Sequence, residues 1–157
     1  MRGSGQRKPG AAAFVDGYLA FLLAKTSHLV SAGFHARLRE LGVSIPTWRI
    51  LAVLQGGARP VGELAGLVLL NQPTLSKALD RLEAEGLVGR GRDAGNRRSV
   101  KVKLLPRGRV LVAKLVPLAN RHEAEVFAHL GAARRRALAS ALQATVARLS
   151  AAEGEQA

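Results

Sequence analysis

Residues 71–108 read NQPTLSKALDRLEAEGLVGRGRDAGNRRSVKVKLLPRG, and their pattern decides how the rest of the chain is to be read. Asn71 is a good helix N-cap, Pro73 fits a first turn where its missing N–H costs nothing, and Gly86 is placed to end the helix. At about 100° per residue, Leu75, Ala78, Leu79 and Leu82 fall on one face, while Pro73, Thr74, Ser76, Lys77 and Arg81 point the other way. One side packs; the other is polar and cationic. After the glycine, Val88 opens a run bounded by glycines. From Ser99 onward Val100, Val102 and Leu104 alternate with Lys101 and Lys103, the period of a half-buried strand. Between the two runs Asp93-Ala94-Gly95-Asn96 is turn chemistry, followed directly by Arg97 and Arg98.

A capped helix followed by a two-stranded basic ribbon is the outline of a winged helix-turn-helix. From Gln72 to Arg109 there are ten Lys/Arg against four Asp/Glu, so this segment holds six of the chain's thirteen net positive charges. The helix and ribbon resemble the recognition helix and wing of the MarR (multiple antibiotic resistance regulator) family of transcription regulators. The family wing runs Asp, three turn residues, Arg-Arg, an alternating strand, then Leu-Thr-Pro-x-Gly; here Asp93, Arg97, Arg98, Leu104, Pro106 and Gly108 fall in step. Three positions depart from it. Gly95 stands where an Arg is often found, Asn96 where an Asp is common, and Leu105 where a Thr often caps the next helix. The resemblance runs in register from about Phe14 to Leu149, nearly the whole chain.

Composition sets the outer bounds. With 157 residues the chain is one domain's worth, and aromatics at 4% beside abundant Ala and Leu point to helical packing. A net charge of +13 suits a polyanionic partner, nucleic acid ahead of membrane. The chain has no cysteine, so disulfides, thiolate metal sites and thiol redox sensing are excluded. Asp16 interrupts the first apolar run and no stretch is of membrane length, so a cytoplasmic protein is expected.

In chain order, residues 1–10 read as a disordered basic tail. Residues 12–41 read as one long helix, with Val15, Leu19, Leu22, Leu29 and Leu38 at helical spacing and Gly42 as its stop. Ser44, Pro46 and Trp48 open a buried helix that ends at Gly56-Gly57. Val61 to Leu69 reads as a short helix that would pair with the Asn71 helix, with Val61, Leu64, Leu67 and Leu70 in the core. A helix from about 107 to 130 is expected to kink at Pro117, and Gly131 separates it from a last helix, 132–151, with Leu138, Leu142, Thr145 and Leu149 in a stripe. The end beyond it should fray. The domain plan is a winged helix-turn-helix over 44–106, and a helical dimerisation region formed by 12–41 and 107–151. Fold class is therefore mainly α with a small β-hairpin wing.

In that geometry the second helix of the pair enters the major groove. Thr74, Ser76 and Lys77 lie on the outer face of its first turns, where hydroxyls bond phosphates or bases and a lysine reaches guanine. Gln72, at the helix entry beside Pro73, would bond an adenine or a phosphate, and Arg81 would hold the DNA backbone. The resemblance assigns Arg97 to the minor groove and pairs Arg98 with Asp93 to hold the hairpin's shape. Arg90, Arg92, Lys101 and Lys103 would add phosphate contacts, each contributing a slope of roughly 0.9 to the salt dependence of binding. The family also implies an effector pocket, here flanked by His28, Phe34, Trp48 and Arg49, for a small aromatic or anionic molecule that wants an arginine and a flat indole wall.

No other chemistry is expected. His28 with His35, and His122 with His129, are each seven residues apart and share a helix face, but neither pair supplies the three or four ligands zinc needs. Ser76 and Ser99 lack a His and Asp partner, and there is no phosphate-binding glycine loop, so neither an enzyme nor a cofactor or metal site is expected. The resulting expectation is a homodimeric, sequence-specific duplex-DNA-binding repressor that reads a pseudo-palindromic operator and responds to an effector. The rival is an architectural nucleic-acid binder without effector response, recognised by weak sequence preference and steep salt dependence.

Overall fold

A computed structural model describes residues 11–92 and 100–154, with the side chains of 11–13 and 153–154 left aside. Its elements are α1 (Ala11–Gly17), α2 (Leu19–Glu40), α3 (Ile45–Leu54), β1 (Arg59–Pro60), α4 (Val61–Val68), α5 (Gln72–Ala84), β2 (Val88–Arg92), β3 (Val100–Leu104), α6 (Pro106–Val126), a short 3-10 turn (Ala128–Leu130) and α7 (Gly131–Gly154). The fold is mainly helical with one small antiparallel sheet of strand order β1-β3-β2. Two compact units divide the chain, one up to Pro117 and the other from Leu118.

The first unit is built on α3, α4 and α5. Ser44 caps α3 by accepting from the Thr47 N–H, and Asn71 caps α5 by accepting from the Thr74 N–H at 2.9 Å. The inward faces of these helices meet the sheet: Ile50, Leu51, Leu64, Leu75, Leu79, Leu82, Val88 and Val102 are all fully buried. Burial of such side chains stabilises by about 1.5–3 kcal/mol each, so this is the energetic centre of the unit. The first part of α6 closes it with Val112 and Leu115, and the end of α2 adds Phe34 and Leu38.

Several sequence expectations are corrected. The first helix is two, broken at Tyr18, which adopts an extended conformation after Gly17, a weak helix former. Arg59–Pro60 is a third strand, paired with Val102 and Lys101 of β3. A proline at a sheet edge loses no ladder bond, which is why so short and proline-bearing a segment serves there. Helix α4 stops at Val68, and Leu69 takes a left-handed conformation (φ 55°) in the turn to α5. Leu67, expected in the core, is exposed, because α4 turns only Leu64, Ala65 and Val68 inward. Helix α6 runs through Pro117 as one element and ends at Val126, not near 130.

In the second unit, α7 carries Leu138, Leu142, Val146 and Leu149 with 39–63% of each exposed, and none of its described side chains is buried. On α2, Leu19, Phe21, Leu22, Leu23 and Leu29 are likewise exposed.

Candidate nucleic-acid interface

The N-terminal half of α5 is the best-defined polar surface of the first unit. With Leu75 and Leu79 fully buried, the same turns leave Gln72, Pro73, Thr74, Ser76 and Lys77 exposed. The short α4 and the tight turn at Leu69 bring the Asn71 cap directly after α4. Polar and hydroxyl groups followed by a lysine, presented along one to two helical turns, match a major groove's width and its mix of base edges and phosphates.

Toward its C-terminus α5 is engaged with its own protein. Arg81, expected on the DNA backbone, donates through Nη2 to Ser44 Oγ at 3.0 Å and to Thr47 Oγ1 at 2.7 Å, and pairs with Glu85. Thr47 is a buried polar residue, and this contact completes its hydrogen bonding. Arg90, expected on phosphate, instead bonds Asp80 and Glu83 of α5. Those two residues escaped the sequence reading; the signal was a pair of carboxylates three apart on the helix that precedes a basic strand.

The β2–β3 register sorts the wing's charges onto opposite faces. Arg90 pairs with Val102 and Arg92 with Val100, on the side that also holds buried Val88 and Leu104. Lys101 and Lys103 lie opposite Gly91 and Gly89 on the other side. Arg92 and Lys103 are exposed and Lys101 is half-buried. The four basic strand residues therefore do not form one phosphate-binding face. Asp93, Arg97 and Arg98, with the departures Gly95 and Asn96, lie outside the described residues, as does the tail 1–10.

A sequence model described as MarR family matches residues 41–99, which span α3 to the wing. The crystal structure of the MarR family transcriptional regulator SPO1453 from Silicibacter pomeroyi DSS-3 is 38% identical, with 84% of this chain and 97% of that one covered at a TM-score of 0.73. The chain belongs to the MarR family of transcription regulators. Another structural neighbour, the transcriptional repressor CouR bound to a 23-mer DNA duplex, is 29% identical, with 91% of this chain and 99% of that one covered at a TM-score of 0.72. The HTH-type transcriptional regulator TtmR of Methylorubrum extorquens (strain PA1) is 30% identical over 102 residues, 64% of this chain; the chain spans about half, 52%, of that curated relative.

The MarR wing motif has a physical basis in this chain. A Cβ on Gly108 would collide with the Leu87 carbonyl oxygen, so a larger residue there forces α6 or the start of β2 to shift. The same carbonyl accepts the Leu105 N–H at 3.0 Å. Leu105, which replaces the capping Thr, lays its side chain over Gly89, within 3.2 Å of where a Cβ would stand there. The departure trades a cap for an apolar contact across the base of the wing.

The cleft between α2 and α3 differs in its walls from the effector pocket that the family resemblance implies. A cleft of about 410 Å³ between α2 and α3 is lined by Ser27, His28, Ser31, His35, Arg39 and Arg49. His28 and Arg49 are there as expected. Phe34 and Trp48 instead pack edge to face, 5.2 Å between ring centres, with Phe34 buried. The indole wall is thus spent on the core and the cleft is cationic, with no carboxylate among its lining residues. Burial, then the charges of Arg49 and Arg39, hold the His35 imidazole below its ordinary pKa. Arg49 also reaches the Val68 and Leu69 carbonyls of the helix-turn-helix turn at 3.5 and 3.4 Å.

Among the described residues no group of three or more His, Cys, Asp or Glu is placed to hold a metal ion, and no helix is long and apolar enough to cross a membrane.

Proposed function

We propose that this chain is a homodimeric, sequence-specific duplex-DNA-binding repressor of the cytoplasm that reads a pseudo-palindromic operator and is released by a small aromatic or anionic effector, an anion being favoured by the cationic cleft. The observation that carries the reading is the two-sidedness of α5: Leu75, Leu79 and Leu82 are fully buried while Gln72, Pro73, Thr74, Ser76 and Lys77 stand exposed on its leading turns. A helix so anchored presents its outer residues in fixed register, which base readout requires. Arg92 supplies phosphate contact from the wing, with Lys101 and Lys103 on the hairpin's other face, and Arg97 and Arg98 act as the family resemblance implies.

Dimerisation is supported by the exposed leucines of α2 and α7, since two copies of such faces bury each other. The effector reading rests on the cationic cleft, whose Arg49 joins it to the turn ahead of α5. An anion drawing Arg49 away would shift the population of α4–α5 geometries, provided it prefers one of them.

The test is selection of bound duplexes from a random library at physiological salt. A recurrent two-fold symmetric sequence is expected. Lys77→Ala should relax preference at one base position in each half-site, whereas Arg92→Ala should weaken all duplexes alike and lower the salt slope by about 1.8, roughly 0.9 for each of the dimer's two copies. A pool that stays random, bound as tightly as any recovered duplex, would replace this reading with the architectural one.

A further inference from the structure

Arg90 lies in the middle of β2, on the hairpin face it shares with Val88, and its side chain turns back to α5. Nη2 donates to Asp80 Oδ1 at 2.8 Å, Nη1 donates to Glu83 Oε2 at 3.0 Å, and the Arg90 backbone N–H donates to Glu83 Oε1 at 3.1 Å. One guanidinium therefore uses both terminal nitrogens on two carboxylates of another element, and one of those carboxylates also takes the strand's own amide. The Arg90 side chain is 29% exposed, against 63% for Asp80 and 40% for Glu83, so the cation is turned inward beneath its partners. On the far side of the same helix Arg81 is tied to the Ser44 and Thr47 hydroxyls at the start of α3.

Two carboxylates on a helix that meets a polyanion ordinarily weaken its binding, because each repels phosphate. Nothing in the packing of α5 demands them: its buried face is leucine. Exposed ion pairs also contribute little to stability, so stability does not account for their presence. Their geometry does. Arg90 is fixed in a strand, Asp80 and Glu83 are fixed three apart on a helix, and three bonds between two elements constrain the angle between them.

We propose that Arg90 with Asp80 and Glu83 is a clamp that sets the wing's angle to the recognition helix, so that two negative charges on a DNA-reading helix strengthen specific binding. Arg90 is then a positioning residue and not a phosphate contact. This rests on the DNA-binding reading above, and its sign is opposite to that of simple electrostatics.

The experiment compares the wild-type chain with Arg90→Gln, Asp80→Asn/Glu83→Gln and the triple variant. Each is titrated by fluorescence anisotropy against a duplex enriched from a random library by the wild-type chain, and against a scrambled duplex, over a KCl series. Loss of one well-placed base contact costs on the order of tenfold in affinity, and misalignment of the wing is expected to cost about as much. The carboxylate variant is expected to lose about that factor on the enriched duplex while binding the scrambled duplex as well as wild type or better. Arg90→Gln should lose a similar factor with the salt slope unchanged, and the triple variant should be no worse than either parent. Tighter binding of the enriched duplex by the carboxylate variant overturns the proposal. So does a fall of about 1.8 in the salt slope of Arg90→Gln, roughly 0.9 per copy in the dimer, which marks a phosphate contact.

A measurement without DNA keeps the clamp testable by itself. Amide exchange at Arg90 and Val102 should quicken in Asp80→Asn/Glu83→Gln while the circular dichroism stays that of wild type, and unchanged exchange refutes the clamp. Should the wild-type chain enrich no sequence, the sequence-specific reading fails, and the exchange rates still decide whether α5 holds the wing.

Discussion

Helices α5 and α7 carry apolar residues at similar helical spacing and end in opposite situations. On α5 the stripe Leu75, Leu79, Leu82 is closed off completely by α3, α4 and the sheet. On α7 the stripe Leu138, Leu142, Val146, Leu149 remains 39–63% exposed. Periodicity tells which face of a helix leaves water; what it leaves water against depends on the elements nearby. Helix α2 shows both outcomes along one rod, with Phe34 and Leu38 buried near its end and Leu19, Leu23 and Leu29 exposed before it. Apolar area left open on this scale is what a second copy of the chain would cover.

The sharpest way to break the comparison is to charge the open stripe. Leu142→Glu/Leu149→Glu would place four carboxylates in the interface of the proposed dimer, where the loss of apolar burial alone amounts to several kcal/mol. Sedimentation velocity should then find monomers, with little change in the helix content of the winged unit. If the variant sediments as the wild type does, α7 is not the dimer face. The closed region fails differently. Gly108→Ala drives a methyl into the Leu87 carbonyl, and overpacking against backbone costs about 3 kcal/mol. A fall of roughly 10 °C in the melting temperature is expected. A melting temperature within a degree or two of wild type would mean that α6 shifts freely on β2. Asn71→Ala is milder. It removes the acceptor of the Thr74 N–H and should cost about 1 kcal/mol, read as a drop of about 3 °C.

Much of this was legible in the residues because local and global signals agree. Asn71, Pro73, Gly86 and the leucine stripe all describe α5, and the alternation from Val100 to Leu104 describes β3. What escaped has physical reasons. Strand β1 is two residues long and includes a proline, so it has no period to detect and exists only because β3 offers a partner. The partners that Arg81 and Arg90 find within the chain are not legible in sequence, because a basic residue looks the same whether its counter-ion is phosphate or a carboxylate brought near by folding. Asp80, Glu83, Ser44 and Thr47 come within reach only once α3, α5 and β2 are assembled. The flat ring of Trp48 suits a ligand wall in sequence, yet Phe34 packs edge to face with it and draws it to the core.

The smallest effect concerns the cleft. Burial and the charges of Arg49 and Arg39 lower the pKa of His35 in the folded chain, while in the unfolded chain it returns to about 6.5. As pH falls through that value the unfolded state takes up the proton first, so the folded state loses stability relative to it. The loss levels off once pH has dropped below the lowered folded value. Urea melts at pH 7.5 and 5.5 should therefore show a larger acid loss for wild type than for His35→Gln. Equal losses would mean that the cationic surroundings do not act on His35. An anion seated between His35, Arg39 and Arg49 reverses the sign, because a negative charge favours the imidazolium. Repeating the pair of melts in sulfate and in chloride at equal ionic strength thus asks the cleft for its ligand chemistry. A smaller His35-dependent acid loss in sulfate is the expected result, and an identical loss in both salts would count against an anionic effector there.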